Sequence, residues 1–361
     1  MTSFLEGIGA ALVAGFAGED PRDLRPDPAR VAAAIPLPVT LVHLTPGFVE
    51  SRHVLAFYVD RRARVVSVAK TPRRSWDGDT VRREAASLRR LVELAPQLRE
   101  SVPDVLACVT ADARPVMLQV ALDGAPLTHA RLRRDLRSAD AVQEWISTLP
   151  VTGSSTGAAV VDELLEPTLR RLEAMLPRDH DLRDVVRATR EVLSRLADVE
   201  LPRVFEHGDP SHPNLLVAGR RSAVRVGIVD WELAVEQGAV GHDLAQFLAF
   251  RAFALAGAHG LRAESEAFET HFRDAGSPGR QRFAAGLPDS VPPDAAAPLF
   301  VLAWARAAVR ILDRLAPEDA ETAGSPAVPL PSDHLVELLS VSRNAVLWRA
   351  ALSWETGPTV R

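Results

Sequence analysis

The stretch His207-Gly208-Asp209-Pro210-Ser211-His212-Pro213-Asn214 decides how this chain is read, together with Asp230-Trp231-Glu232 further on. Between them the apolar run Val226-Gly227-Ile228-Val229 has the length of a strand and ends at Asp230. The order supplies a carboxylate, an amide oxygen, and a second carboxylate delivered by a strand. Phosphoryl transfer needs this donor set. One Asp orients and deprotonates an attacking hydroxyl, while the Asn oxygen and the other Asp hold the metal that bridges the nucleotide phosphates. Side-chain turns around Pro210 and Pro213 would explain Asp209 and Asn214 without any chemistry. They do not explain the strand and the second Asp that follow.

Upstream, residues 38–70 alternate in a strand-like way. Val39 to Leu44 leads through a turn at Thr45-Pro46-Gly47 to Arg52–Val59, then a polar turn at Asp60-Arg61-Arg62, then Arg64–Lys70. After a polar break from Thr71 to Asp79, Val81, Ala85, Leu88, Leu91 and Val92 recur at helical spacing, with Glu84 beside that stripe. Two more strands are expected near Val105–Val109 and Val116–Val120, before Asp123-Gly124-Ala125-Pro126 breaks the pattern. Of 42 basic residues all are arginine except Lys70. A compact ammonium fits between two phosphate oxygens and a carboxylate, where a broad guanidinium fork does not.

Downstream, Leu127 to Leu201 reads as helical, with segments around Ala139–Leu149, Val160–Leu176 and Leu182–Val199. Leu201-Pro202 leads into Val204-Phe205 and the loop. Leu215–Val217 and Val224–Val229 form a hairpin around Gly219–Ser222. Gly241-His242-Asp243 opens an apolar helix from Leu244 to Leu255. The C-terminal third is helical, with breaks at 275–298 and 315–332.

Composition narrows the class. The 361 residues suffice for two domains, and 47% apolar with 25% charged residues is a globular balance. A net charge of −5 gives no basic surface for nucleic acid or membrane. The single cysteine, Cys108, excludes an intramolecular disulfide and reads as a buried strand residue. Phe4–Phe16 is fairly apolar but is interrupted by Glu6, has no Lys or Arg before it and is too short to span a bilayer, so it is expected as a packed helix in a cytoplasmic protein. Gly7–Ala11 lacks the preceding strand and third glycine of a dinucleotide site.

His-Gly-Asp-x4-Asn followed by Asp-Trp-Glu resembles the aminoglycoside phosphotransferase and choline kinase-like superfamily of small-molecule kinases. The resemblance implies an α+β, bilobal protein-kinase-like fold with a small five-stranded antiparallel N-lobe, one main helix, and a larger, mostly helical C-lobe. Residues 1–122 would form an extension helix and the nucleotide-binding lobe. Residues 123–361 would form the C-lobe with the catalytic loop (207–214), the metal-binding segment (226–232) and the acceptor site. Asp209 would be the catalytic Asp, Asn214 and Asp230 the Mg²⁺ ligands, and His207 a loop-shaping residue. Lys70, held by Glu84, would fix the phosphates of ATP or GTP, with Gln119, Val120 and Leu122 at the hinge that meets the base. Asp243 would cap its helix and brace the loop. His212 reads as a partly buried loop histidine, and Glu232 either assists the metal or is solvated.

The phosphate-covering loop is degenerate, with only Gly47 in residues 45–51. No activation segment follows Asp230, which points away from protein substrates. The acceptor would be an aminoglycoside or other antibiotic, an amino alcohol or a sugar, handled by a monomer or homodimer. Trp304, Trp348 and Trp354 are either an aromatic cage or core. A nucleotide-binding pseudokinase is the alternative function.

Overall fold

The computed structural model describes residues 24, 27–35, 38–44, 53–73, 78–111, 114–219, 224–315 and 332–357. The expected helix at 4–16, the string at 7–11, the phosphate loop at 45–51, the turn at 220–222 and the break at 316–331 lie outside the described residues. By its internal contacts the chain divides into two compact units. The first holds Met1–Gly124 and Gly227–Ala234; the second holds Ala125–Val226 and the described residues from Val235 onward.

In the first unit, a short helix α1 (Pro28–Ala34) precedes β1 (Thr40–Leu44), β2 (His53–Val59) and β3 (Val65–Pro72). Helix α2 (Gly78–Leu94) follows, then β4 (Val105–Ala111) and β5 (Arg114–Val120). The five strands form one antiparallel sheet in the order β1-β2-β3-β5-β4. Valine, phenylalanine and tyrosine suit these half-buried strands. Ala56, Tyr58, Ala69, Leu106, Ala107 and Leu118 belong to one buried core cluster. At the β2–β3 turn the Asp60 carboxylate accepts from the backbone N–H groups of Arg62 and Arg64, which fixes the register. Strand β3 runs past Lys70 to Pro72, so Lys70 lies within the strand and not at its end. Helix α2 buries Val81, Ala85, Leu88 and Leu91 as its spacing predicted. Each of the valine and leucine side chains contributes about 1.5–3 kcal/mol on burial. Cys108 is buried.

The second unit is mostly helical. It contains β6 (Ala125–Pro126), α3 (His129–Arg134), α4 (Leu136–Ser147), β7 (Val151–Thr156), α5 (Gly157–Leu164), α6 (Glu166–Met175) and α7 (Leu182–Leu193). Next come β8 (Glu200–Glu206), β9 (Leu215–Ala218), β10 (Arg225–Ile228), β11 (Val235–Ala239), α8 (His242–Ala256), α9 (Leu261–Phe272), α10 (Pro278–Ala285), α11 (Ala296–Leu315), α12 (Ser332–Val341) and α13 (Arg343–Thr356). Strand β10 straddles the division, and Gly227 onward belongs to the first unit.

Three expectations need correction. The span 127–201 is not continuously helical, because β7 pairs antiparallel with β8 inside a β11-β8-β7 sheet. Its sequence, Val-Thr-Gly-Ser-Ser-Thr, lies mostly exposed and shows no apolar alternation. What holds it is partly the Thr152 hydroxyl, which donates to the carbonyls of Glu236 and Arg203. The expected helix at 160–176 breaks at Leu165, where Pro167 starts a new one. The break at 275–298 contains α10, begun by Pro278.

The stretch Pro293–Asp313, most of it helix α11, is the one described helical stretch long and apolar enough to cross a membrane, and 78% of its 18-residue apolar segment is buried inside the fold. It packs against α7, α8 and α13. Trp304, on this helix, and Trp348, on α13, are buried, and Trp304 and Trp354 meet Phe268 at centroid distances of 5.1 and 5.2 Å. Trp304 and Trp348 are core residues, and Trp354 is half-buried at the edge of the same aromatic cluster.

Candidate active site

In the first unit, β3 and α2 together aim Lys70 at two carboxylates. Its Nζ donates to Glu84 Oε2 at 2.5 Å and to Asp230 Oδ1 at 2.5 Å. Lys70 is 4% and Glu84 1% exposed. The second oxygen of Glu84 accepts from the backbone N–H of Trp231 at 3.1 Å. One helix side chain therefore fixes both the ammonium and the segment carrying Asp230. Trp231 is fully buried, and its indole N–H donates to the Ile228 carbonyl at 3.0 Å. Asp230 itself has φ +68°, a left-handed conformation in which Asp is among the few tolerated side chains. Burial works against the Lys70 charge, but the Asp230 and then the Glu84 and Glu232 carboxylates outweigh it and hold its pKa above the usual range. Burial pushes Glu84 up, against the pull of Lys70.

Glu232 is not solvated: its side chain is 11% exposed and pairs with His53 Nδ1 at 3.1 Å, while His53 Nε2 meets the Thr80 hydroxyl at 3.0 Å. His53, Asp230 and Glu232 each bring a ligand atom within 4.8 Å of the others. Of the hinge residues, Gln119 is buried in β5 and its Oε1 has no partner among the described residues. The Val120 N–H is engaged by the Asp104 carbonyl. Among the described residues Leu122 keeps a backbone N–H without a hydrogen bond.

In the second unit, β8 ends at Glu206 and the loop begins. The His207 and Gly208 N–H groups donate to Asp243 Oδ2 and Oδ1 at 2.7 and 2.8 Å. His207 is fully buried, and its Nδ1 accepts from the Asp209 N–H at 3.1 Å. The Asp209 carboxylate accepts from the Ser211 hydroxyl at 2.7 Å. The Asn214 amide nitrogen donates to the Asp209 carbonyl at 3.1 Å and to Asp209 Oδ2 at 3.4 Å, and the amide oxygen has no hydrogen bond among the described residues. His212 is exposed, against the expectation of partial burial. The cap position of α8 is Gly241, with φ +85° and no side-chain cap. Asp243 therefore braces the loop from the first turn and does not cap the helix. Burial first, then repulsion from Glu206, pushes the Asp243 pKa up to about 7 against its two backbone donors.

Behind the loop stands a group that the motif does not announce. Glu206 is fully buried and takes Arg306 on both oxygens at 2.6 and 3.0 Å, Arg310 at 2.8 Å and the Ala239 N–H at 3.1 Å. Burial would raise its pKa, but the arginines hold it well below the carboxylate range. Glu206, His242 and Asp243 also bring ligand atoms within 4.8 Å of one another, yet two guanidiniums already supply the positive charge there. Glu206 could have been flagged in sequence as a charge closing an apolar strand. Arg306 and Arg310 carry no such signal.

A five-stranded antiparallel sheet with a buried lysine–carboxylate cluster, joined to a helical unit bearing an Asp-x4-Asn loop, defines a kinase-type phosphotransferase. The model of the phosphotransferase enzyme family matches residues 53–285, and the chain belongs to that family. Among curated proteins none matches. Similar solved structures include an ethanolamine kinase of Plasmodium vivax, 9% identical, TM-score 0.48, over 90% of this chain and 83% of that one. A putative fructosamine-3-kinase of Haemophilus somnus is 11% identical, TM-score 0.46, over 86% and 95%. An aminoglycoside phosphotransferase of Streptomyces rimosus is 18% identical, TM-score 0.38, over 72% and 92%. The chain is therefore a phosphotransferase by family.

Proposed function

We propose that the chain transfers the γ-phosphoryl group of ATP or GTP to a hydroxyl of an aminoglycoside or other antibiotic, an amino alcohol or a sugar. The observation that carries this reading is Lys70, the sole lysine of the chain, buried and held by two carboxylates at 2.5 Å. An ammonium so fixed costs no reorganisation when it meets a phosphate oxygen.

Lys70 and Glu84 bind and orient the nucleotide phosphates, and the backbone at Leu122 is the free hydrogen-bonding edge for the base. Asp209 accepts the proton of the attacking hydroxyl on the oxygen not engaged by Ser211. Asn214 and Asp230 would each supply an oxygen ligand to Mg²⁺. Both offer hard oxygen donors of the kind Mg²⁺ selects, and the Asp230 side chain is 42% exposed. Bound there, the ion would neutralise charge on the phosphates.

The test is a phosphorylation screen of hydroxylated small molecules with MgATP and MgGTP, run in parallel on the parent and Asp209→Asn. Transfer to one acceptor that disappears in the variant supports the reading. Transfer that persists at the parent rate overturns the role of Asp209. Nucleotide binding with no transfer to any acceptor or to water favours the pseudokinase instead.

A further inference from the structure

We infer that Arg310, on α11, is a positioning residue for Asp209, acting through the peptide that joins Gly208 to Asp209. The inference rests on the proposed role of Asp209.

That peptide is held at both ends. Its carbonyl, on Gly208, accepts from Arg310 Nη1 at 2.5 Å and from Gln246 Nε2 at 3.0 Å. Its N–H, on Asp209, donates to His207 Nδ1 at 3.1 Å. Gly208 sits at φ +93°, where glycine has no steric preference of its own, so the orientation of the plane must come from its partners. Rotating the plane swings the Cα–Cβ bond of Asp209, and with it the carboxylate. The preceding peptide groups are held separately by Asp243.

Arg310 is in turn fixed by Glu206, which takes its Nη2 at 2.8 Å. Its two nitrogens thus bridge the last residue of β8 and the loop carbonyl two residues on. A planar fork can do this and a lysine cannot. Arg306 occupies the remaining side of Glu206 and touches no described loop atom, so the two arginines divide the work. Arg306 neutralises the buried carboxylate, and Arg310 carries its position to the loop.

The experiment compares Arg310→Gln, Arg310→Lys and Gln246→Leu, each alone and combined with Asp209→Asn, with Asp209→Asn alone as the reference. MgATP turnover is read against the acceptor found in the screen, or against water. Displacement of a catalytic group by about 1 Å costs on the order of 100-fold in rate. Arg310→Gln is therefore expected to lower kcat between 10- and 100-fold, with KM for ATP unchanged within about twofold. Gln246→Leu should give a smaller loss of the same kind.

In the Asp209→Asn background neither change should slow turnover further, because each acts only through Asp209. Arg310→Lys keeps one donor for Gly208 and should recover part of the kcat loss at a similar thermal midpoint. Rate losses that simply add to that of Asp209→Asn, or an Arg310→Gln variant with parental kcat, would overturn the inference. If Asp209→Asn itself turns over normally, it is the proposed function that fails. Should Arg310→Gln not fold, Gln246→Leu and Arg310→Lys decide the matter by the same non-additivity.

Discussion

Replacing Lys70 by methionine tests the first unit most directly, because the structure fixes both the size and the pH dependence of the effect. The substitution keeps the length of the side chain and removes its charge, leaving Glu84 and Asp230 without their shared partner. Removing one partner of a buried ion pair costs about 3–5 kcal/mol. The Asp230 side chain is 42% exposed, so water screens it and its share is small. Glu84 is 1% exposed but keeps the Trp231 N–H, so the low end applies, about 3 kcal/mol. For a unit of this size that corresponds to a fall in thermal midpoint of roughly 12 °C.

Its pH dependence has a definite sign. Burial already raises the Glu84 pKa with Lys70 present, and without Lys70 it rises further. The folded variant then holds a proton that the unfolded chain has released, so its stability falls as pH climbs between the two values. The deficit against the parent should be small near pH 5 and full near pH 8, measured by calorimetry and by chemical denaturation. Adding Glu84→Gln should restore most of the loss, because a neutral amide needs no counter-charge. A deficit below about 1 kcal/mol, equal at pH 5 and pH 8, would refute the claim that this pair is buried and charged.

Other perturbations probe the second unit and the proposed chemistry. Asp209→Asn should reduce transfer by on the order of 10²- to 10⁴-fold while titration with MgATP shows unchanged nucleotide affinity; a parallel loss of binding would contradict a role in proton transfer. Asp230→Asn keeps a side chain tolerated at φ +68°, so the thermal midpoint should fall only through the weakened Lys70 contact, and the Mg²⁺ dependence of nucleotide affinity should drop; an unaltered Mg²⁺ titration would remove Asp230 from the metal site. Asp243 keeps its proton to about pH 7 in the fold and loses it near 4 when unfolded. Its contribution therefore declines from pH 4 to 7 and is flat above. Asp243→Asn should abolish that slope in a stability-against-pH curve, and a slope that survives would place the raised pKa elsewhere. Glu206→Gln leaves Arg306 and Arg310 buried without a counter-charge and should cost about 3–5 kcal/mol in a denaturant titration; a cost under about 1 kcal/mol would show that water reaches them.

The sequence disclosed what is local and periodic. The five strands and α2 were legible because Val, Tyr and Phe alternate in the one and Val81, Ala85, Leu88 and Leu91 repeat at helical spacing in the other. Lys70 and Glu84 were legible as a pair only through order and spacing, since a helix acid followed by Arg89 and Arg90 has a plausible solvated reading. The structure supplies the decisive fact, that Glu84 is buried. Strands β7 and β11 escaped notice because Gly153, Ser154 and Gly238 interrupt any apolar alternation and both strands owe their place to pairing with β8. His212 and the capping role of Asp243 were misread for a related reason. Exposure of a loop residue, and the direction in which a first-turn carboxylate points, depend on neighbours distant in sequence.

Cation choice ties the two units together better than any single motif does. With one lysine among 42 basic residues, arginine is the default, and the second unit exploits its fork repeatedly. Arg306 grips both oxygens of Glu206, Arg310 bridges Glu206 and Gly208, and Arg190 bridges Glu166 and Glu173. Each of these positions asks for two donors held apart in a plane. Position 70 asks for the opposite, one nitrogen that two carboxylates from separate segments reach at 2.5 Å. A guanidinium there would present its donors too far apart and would overfill a site that is 4% exposed. The lysine is therefore retained by geometry and not by charge, since charge alone would be met by the residue this chain uses everywhere else. The same geometry, a point charge rigidly held, also suits contact with a phosphate oxygen.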